Sequence, residues 1–207
     1  HGQGRAVALA LCARGAKILA FDVAGPLAEP GYAMGTSGEL ESLRAECAAA
    51  GRECIARQGD VRDAVAIAGA VRCAIGAWGA IDILFNNAGV CSYGLAHELT
   101  EETWDAMIDI NLKGCWLVAK HVIPGMIERR SGVIINNSSV AGLRGMARLS
   151  HYAASKWGVP QLTKRWADEV APNNTQASSY RRPVVASRVC TGLSHTGGGP
   201  TKAVGAR

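Results

Sequence analysis

An alternation constrains this chain more than any other feature. Short apolar runs, each ending in Asp, Asn or Ser, are separated by segments of helical period. Residues 17–23 read as a strand carrying Asp22 near its end, and 53–61 lead a strand into Asp60 and Val61. Residues 81–85 run into Asn86-Asn87-Ala88-Gly89, and 133–137 run into Ser138-Ser139. Helices are expected between them over 1–13 (stopped by Gly15), 39–50 (closed by Gly51), 63–77, 100–130 and 152–171. Thr100 is the N-cap of the fourth, with Glu101 and Glu102 favoured in its first turn by the helix dipole. Strands alternating with helices of this length build a parallel sheet from right-handed βαβ units. The expected class is α/β, with a doubly wound parallel sheet. Ligands on such sheets bind beyond the carboxyl ends of the strands, where Asp22, Asp60, Asn87 and Ser139 all fall. Residues 25–38 form a Pro- and Gly-rich connection, long enough to be a functional or mobile loop.

At 207 residues the chain fits one domain with a substantial core. No uncharged apolar run of about 18 residues is present, so no membrane partner is expected. No basic-then-apolar segment opens the sequence, so no secretory signal is expected either. The net charge of +5 resolves by position: residues 173–207 hold five of the 22 Lys and Arg and none of the 17 Asp and Glu. Residues 1–172 are therefore balanced and lack the basic face that a nucleic-acid partner needs. The seven Cys (12, 47, 54, 73, 91, 115 and 190) are odd in number and show no Cys-x-x-Cys. They point to reduced thiols in a cytoplasmic compartment, with neither a disulfide frame nor a metal site.

Tyr152 and Lys156, four residues apart on a helix, share one face. A fixed cation favours phenolate over phenol and pulls a tyrosine pKa down from about 10. Tyr152 could then act as base toward an alcohol or acid toward a ketone; the bland alternative is a surface helix pair. Gly2-Gln3-Gly4 entering a helix suits a pyrophosphate, because glycine allows close backbone approach and a helix N-terminus favours anions. Asp22, about eighteen residues after Gly4, can accept from both ribose hydroxyls and repel a 2′-phosphate, which favours NAD over NADP. Asp60-Val61 could meet an adenine amino group or could simply close a turn. His151 reads as a helix-start or pocket-wall residue, and His97 and His121 lack metal-ligand companions. Trp104 and Trp116 fall at amphipathic spacing with Met107 and Ile108, and are expected in the core.

Taken in order, Gly2-Gln3-Gly4, Asp22, Asp60-Val61, Asn86-Asn87-Ala88-Gly89, Asn111-Leu112, Ser138-Ser139 and Tyr152-x-x-x-Lys156 resemble the short-chain dehydrogenase/reductase family over residues 1–172. Residues 30–36 also resemble the mycofactocin-associated branch that includes carveol-type dehydrogenases. The resemblance implies a Rossmann-like fold and an NAD(H)-dependent oxidoreductase that interconverts a secondary alcohol and a ketone. It implies a catalytic tetrad of Asn111, Ser139, Tyr152 and Lys156. Ser139 would orient the substrate oxygen, Tyr152 would exchange its proton, and Lys156 would bond the nicotinamide ribose. Asn111 would hold the helix geometry and a water leading to Lys156. Gly2, Gln3, Gly4, Asp22, Asp60, Val61, Asn87, Ala88, Gly89, Tyr152 and Lys156 would hold NAD. It also implies a cytoplasmic homo-oligomer, a tetramer or dimer, with the Trp104–Trp116 region available as an interface.

Three departures from the family pattern carry expectations of their own. The strand that should precede His1 is absent, which should leave two mid-sheet strands unpaired at a gap and remove part of the pyrophosphate site. Pro160 inside the catalytic helix removes an N–H and crowds the Lys156 carbonyl, at a cost of roughly 3 kcal/mol and with an expected kink. Residues 173–207 are expected to be a disordered or frame-shifted tail without strand or helix. A catalytically defective fragment, or a non-catalytic dinucleotide-binding relative, is the competing reading.

Overall fold

Caps written in the sequence set the helix boundaries of the computed structural model, which describes residues 2–180. Thr36 accepts from the Glu39 amide while Glu39 reaches back to the Thr36 amide, a reciprocal capping box that starts helix α2 (Ser37–Ala49). Asp63 accepts from the amides of Val65 and Ala66 to start α3 (Ala64–Trp78). That helix ends on Gly79, whose φ of +82° is the left-handed conformation glycine adopts without strain. Thr100 caps α4 (Glu101–Ile108) as its sequence position predicts.

The remaining elements are α1 (Gly2–Ala13), β1 (Ile18–Asp22), β2 (Cys54–Gln58), β3 (Ile83–Asn86), α5 (Gly114–Arg129), β4 (Gly132–Asn137), α6 (Ser150–Val170) and β5 (Thr175–Tyr180). All strand pairs are parallel: β1 with β2, then β3 with β4 and β4 with β5. The α/β class and parallel sheet expected from the alternation are what the chain forms. The sheet falls into two parts, β1-β2 and β3-β4-β5, so one edge of β1 and one of β3 lack a strand partner among the described residues. The gap expected from the missing strand lies there.

The main core packs α3, α5 and α6 onto β3 and β4 through Ile67, Leu84, Ala119, Met126, Ile134 and Trp166. Each fully buried Ile or Met contributes on the order of 1.5–3 kcal/mol. A second cluster seats α1 and α2 on β1 through Cys12, Ile18, Leu43 and Cys47. A third, Val90, Met107 and Ile110, draws in Leu27 and Met34 from the long loop after β1, and Tyr152 from α6.

Three expectations need correction. Residues 175–180 form a strand, so the folded unit continues past the boundary expected at 172; small and polar side chains hid its period, and pairing with β4 supplies what propensity does not. The rest of the expected tail, 181–207, lies outside the described residues. Trp104 and Trp116 are each 41% exposed and are not core; Lys120 stacks over the Trp116 ring at 5.3 Å. The helical region expected from Thr100 to Arg130 does form, running without a break through α4 and α5 with a π-helical turn, Asp109–Lys113, between them. Lastly, α6 runs unbroken through Pro160, for a reason that emerges at the site.

Candidate active site

The carboxyl end of β4 places two asparagines on opposite sides of the sheet. Asn136 points inward, fully buried, and accepts from Asn86 Nδ2 at 2.8 Å while donating to Thr163 Oγ1 at 2.9 Å. That chain of bonds ties α6 to β3 and β4. Asn137 faces the other way and donates to Asn87 Oδ1 at 3.0 Å and Gln3 Oε1 at 3.1 Å. Gly4 lies against the same group, since a Cβ there would stand 2.8 Å from Asn87 Nδ2. The start of α1, with Gln3 and Gly4, is therefore seated on the strand ends.

Lys156 is buried, and its ammonium donates to the Asn137 carbonyl at 3.0 Å. It lies 6.0 Å from the centroid of the Tyr152 ring, so the two side chains share a face as their spacing predicts. Burial lowers the Lys156 pKa to about 8, while the neighbouring Cys115 and Cys91 act in the opposite sense. Burial also pushes the Cys115 thiol up to about 12. Pro160 has no N–H for the Lys156 carbonyl. Ser138 Oγ donates to that carbonyl instead, at 3.0 Å, and Gly142 makes room, since a Cβ there would come within 2.4 Å of the same oxygen. The helix is kept whole by a substitute donor.

Asn111, 1% exposed, sits in the π-helical turn. Its Oδ1 accepts from Val90 N at 2.7 Å, and its Nδ2 donates to Val90 O at 2.9 Å and Ser155 Oγ at 3.1 Å. A Cβ on Gly89 would stand 3.2 Å from both Asn111 Oδ1 and Lys156 Nζ, so the three residues converge on one spot. π-helical turns in α-helices recur at functional sites. Ser139 Oγ accepts from the Ala141 amide and caps the 3₁₀ turn Val140–Gly142.

Ser139, Tyr152 and Lys156 line one cavity of about 1170 Å³, together with Gly2, Gln3, Gly4, Asp22, Asp60, Val61 and Asn87–Gly89. That volume exceeds the ~300–1,000 Å³ of an ordinary small-molecule site, because the cavity also takes in the gap between β1 and β3. Asp22 Oδ1 accepts from the Ala24 amide at 2.9 Å. Asp60 is clamped by Arg62, whose backbone takes Oδ1 and whose guanidinium takes both oxygens. Burial raises the Asp60 pKa, but these bonds outweigh it and leave the carboxyl below its ordinary value.

His151 is not in the cavity wall. It is fully buried, and its Nε2 meets Ser92 Oγ at 2.8 Å. Sequence reasoning also missed the roles of Ser138, Ser155 and Arg62, and the bond from Cys91 N to the Tyr32 hydroxyl at 3.2 Å. No local period signals any of these; only the second Ser of Ser138-Ser139 had a motif behind it.

The short chain dehydrogenase family matches residues 1–196. The chain belongs to that family. A (-)-trans-carveol dehydrogenase of Rhodococcus erythropolis is 39% identical over 181 residues, covering 86% of this chain and 65% of the relative. The crystal structure of carveol dehydrogenase from Mycobacterium avium in complex with NAD superposes with a TM-score of 0.84 at 34% identity, again over 86% of this chain and 65% of that one. A metagenomic short-chain oxidoreductase in complex with NADP superposes at 0.78 with 32% identity, covering 87% and 77%. The chain thus spans about 65% of the carveol dehydrogenases it matches, and the resemblance of residues 30–36 to that branch agrees with them. Among the described residues, no helix is long and apolar enough to cross a membrane.

Proposed function

We propose that this chain carries the nucleotide-binding and catalytic part of an NAD(H)-dependent oxidoreductase that interconverts a secondary alcohol and a ketone. One observation supports it above the rest: a buried Lys156 ammonium, held by the Asn137 carbonyl, lies 6.0 Å from the Tyr152 ring in a cavity that Ser139 also lines. In this reading the cation favours the Tyr152 phenolate, which takes the hydroxyl proton of an alcohol or returns it to a ketone oxygen. The Ser139 hydroxyl donates to the same oxygen and orients the carbinol carbon. Asn111 fixes Val90 and, through Ser155, the turn of α6 that bears Tyr152.

The residues present fit a dinucleotide. Gly4 provides close backbone approach at a helix start, Asp22 stands at a strand end, and Gly89 leaves room beside Lys156. A bound nicotinamide supplies the hydride acceptor or donor. The Asp22 carboxylate supports NAD over NADP. Val90, Cys91, Tyr93, Met146 and Leu149 line the same cavity as Tyr152 and carry no charge, which supports an apolar alcohol. The free thiols among the described residues suit a reducing, cytoplasmic compartment. The exposed Trp104 and Trp116 suit an interface between copies in a dimer or tetramer.

The second reading, a dinucleotide-binding piece that does not turn over, draws on the edges of β1 and β3 that lack a strand partner among the described residues. Calorimetric titration with NAD and NADP, followed by a panel of secondary alcohols, separates the two. The first reading expects NAD to bind at least ~10-fold tighter than NADP and at least one alcohol to be oxidised. NAD binding without turnover supports the second, and binding of neither dinucleotide rejects both.

A further inference from the structure

We propose that His151 is a positioning residue which, through Ser92, fixes the substrate-side wall of the cavity against the helix that bears Tyr152. The functional half of this rests on the reading of Tyr152 above; the structural half does not.

His151 occupies the first turn of α6 and has 0% exposure. Its Nε2 lies 2.8 Å from Ser92 Oγ, and its Nδ1 is buried without a hydrogen-bond partner. Burial disfavours the charged ring and holds its pKa below the ordinary value, so the imidazole is neutral and carries one N–H. A buried orphan donor is rarer than a buried acceptor with a spare lone pair. The proton therefore sits on Nε2 and is donated to Ser92 Oγ.

The position of Ser92 gives this bond its consequence. Cys91 and Tyr93 on either side both line the cavity, whereas Ser92 does not. Ser92 is turned away as an anchor and its neighbours form the wall. The same segment is tied down at Val90 by Asn111, at Cys91 N by the Tyr32 hydroxyl and at Gly94 N by the Arg148 carbonyl. The Ser92 bond differs from these in ending on the residue adjoining Tyr152. It sets how far Cys91 and Tyr93 stand from the phenol, and hence how a substrate presents its carbinol carbon.

Ser92→Ala, His151→Phe, His151→Gln and the Ser92→Ala/His151→Phe double variant of the full chain test this without requiring turnover. The readouts are amide hydrogen exchange over residues 89–94 and the rate of Cys91 alkylation by iodoacetamide, both resolved by peptide mass spectrometry. Loss of one hydrogen bond should raise each rate by up to ~10-fold in Ser92→Ala and in His151→Phe, with the double variant no faster than either. His151→Gln, which keeps an N–H donor, should stay near wild type. Where an alcohol is turned over, Ser92→Ala should raise KM and lower kcat together, whereas loss of the phenol lowers kcat alone. Unchanged rates in Ser92→Ala overturn the proposal even if His151→Phe fails to fold, and so does a double variant whose effects add. Absence of turnover in every variant would count against the Tyr152 reading and leave the exchange and alkylation results to decide the clamp.

Discussion

Ser138 Oγ donates a 3.0 Å hydrogen bond to the carbonyl oxygen of Lys156, the acceptor that Pro160 leaves without a helical N–H four residues on. A proline in a helix interior costs roughly 3 kcal/mol when nothing replaces the lost bond. Here a serine at the end of β4 replaces it, next to the residue whose side chain the site depends on. Ser138→Ala should therefore destabilise by about 1–2 kcal/mol, and by only a few tenths in a Pro160→Ala background where the helix supplies its own donor. Urea unfolding of the four proteins measures the coupling. Equal cost in both backgrounds would separate Ser138 from Pro160.

Lys156 gives the protein a signed dependence on pH. Burial lowers its pKa from 10.5 to about 8. Below pH 8 the lysine is charged in both folded and unfolded chains, and the burial cost is at full size. Between pH 8 and 10.5 the unfolded chain keeps a proton that the folded chain has released, so this residue's contribution to stability rises with pH. The stability of wild type relative to Lys156→Met should accordingly increase by about 1–3 kcal/mol from pH 7 to pH 10. Denaturant midpoints at the two pH values report it, and a constant difference would contradict the buried ammonium.

Asn111 satisfies both backbone groups of Val90 from within a π-helical turn. Asn111→Ala leaves a buried N–H and C=O without partners and should cost about 2–4 kcal/mol. Chemical denaturation tests this, with Met107→Leu as a packing control that keeps the Val90 bonds. A loss no larger than that of the control would mean that the Val90 groups find other partners.

The break between β1 and β3 should be visible in hydrogen exchange. β4 has neighbours on both sides, whereas β1 and β3 each have one among the described residues. Amides of residues 18–22 and 83–86 should exchange at least ~10-fold faster than those of 132–137. Comparable protection in all three segments would show that the open edges are covered.

Much of this was legible in the chain. Thr100 announces a helix start because capping is a local bond, and Asp22, Asn87 and Ser139 mark strand ends because polar residues follow apolar runs there. The Tyr152–Lys156 face follows from helical spacing alone. What escaped depends on partners far apart in sequence. Ser138 meets the Lys156 carbonyl across 18 positions and Ser92 meets His151 across 59, and neither leaves a periodic trace. The strand Thr175–Tyr180 escaped because its side chains are mostly small and polar, so only its pairing with β4 identifies it. The exposure of Trp104 and Trp116 escaped for the opposite reason: apolar spacing marks a face, and which body covers that face lies beyond local pattern.

Single-turnover kinetics of Tyr152→Phe beside wild type, with NAD affinity measured on both, test the central claim most directly. The account predicts unchanged affinity for NAD and a hydride-transfer rate lower by at least ~10²-fold, because the substitution removes only the proton-exchanging oxygen. Equal rates in the two proteins would contradict it and remove Tyr152 from the chemistry.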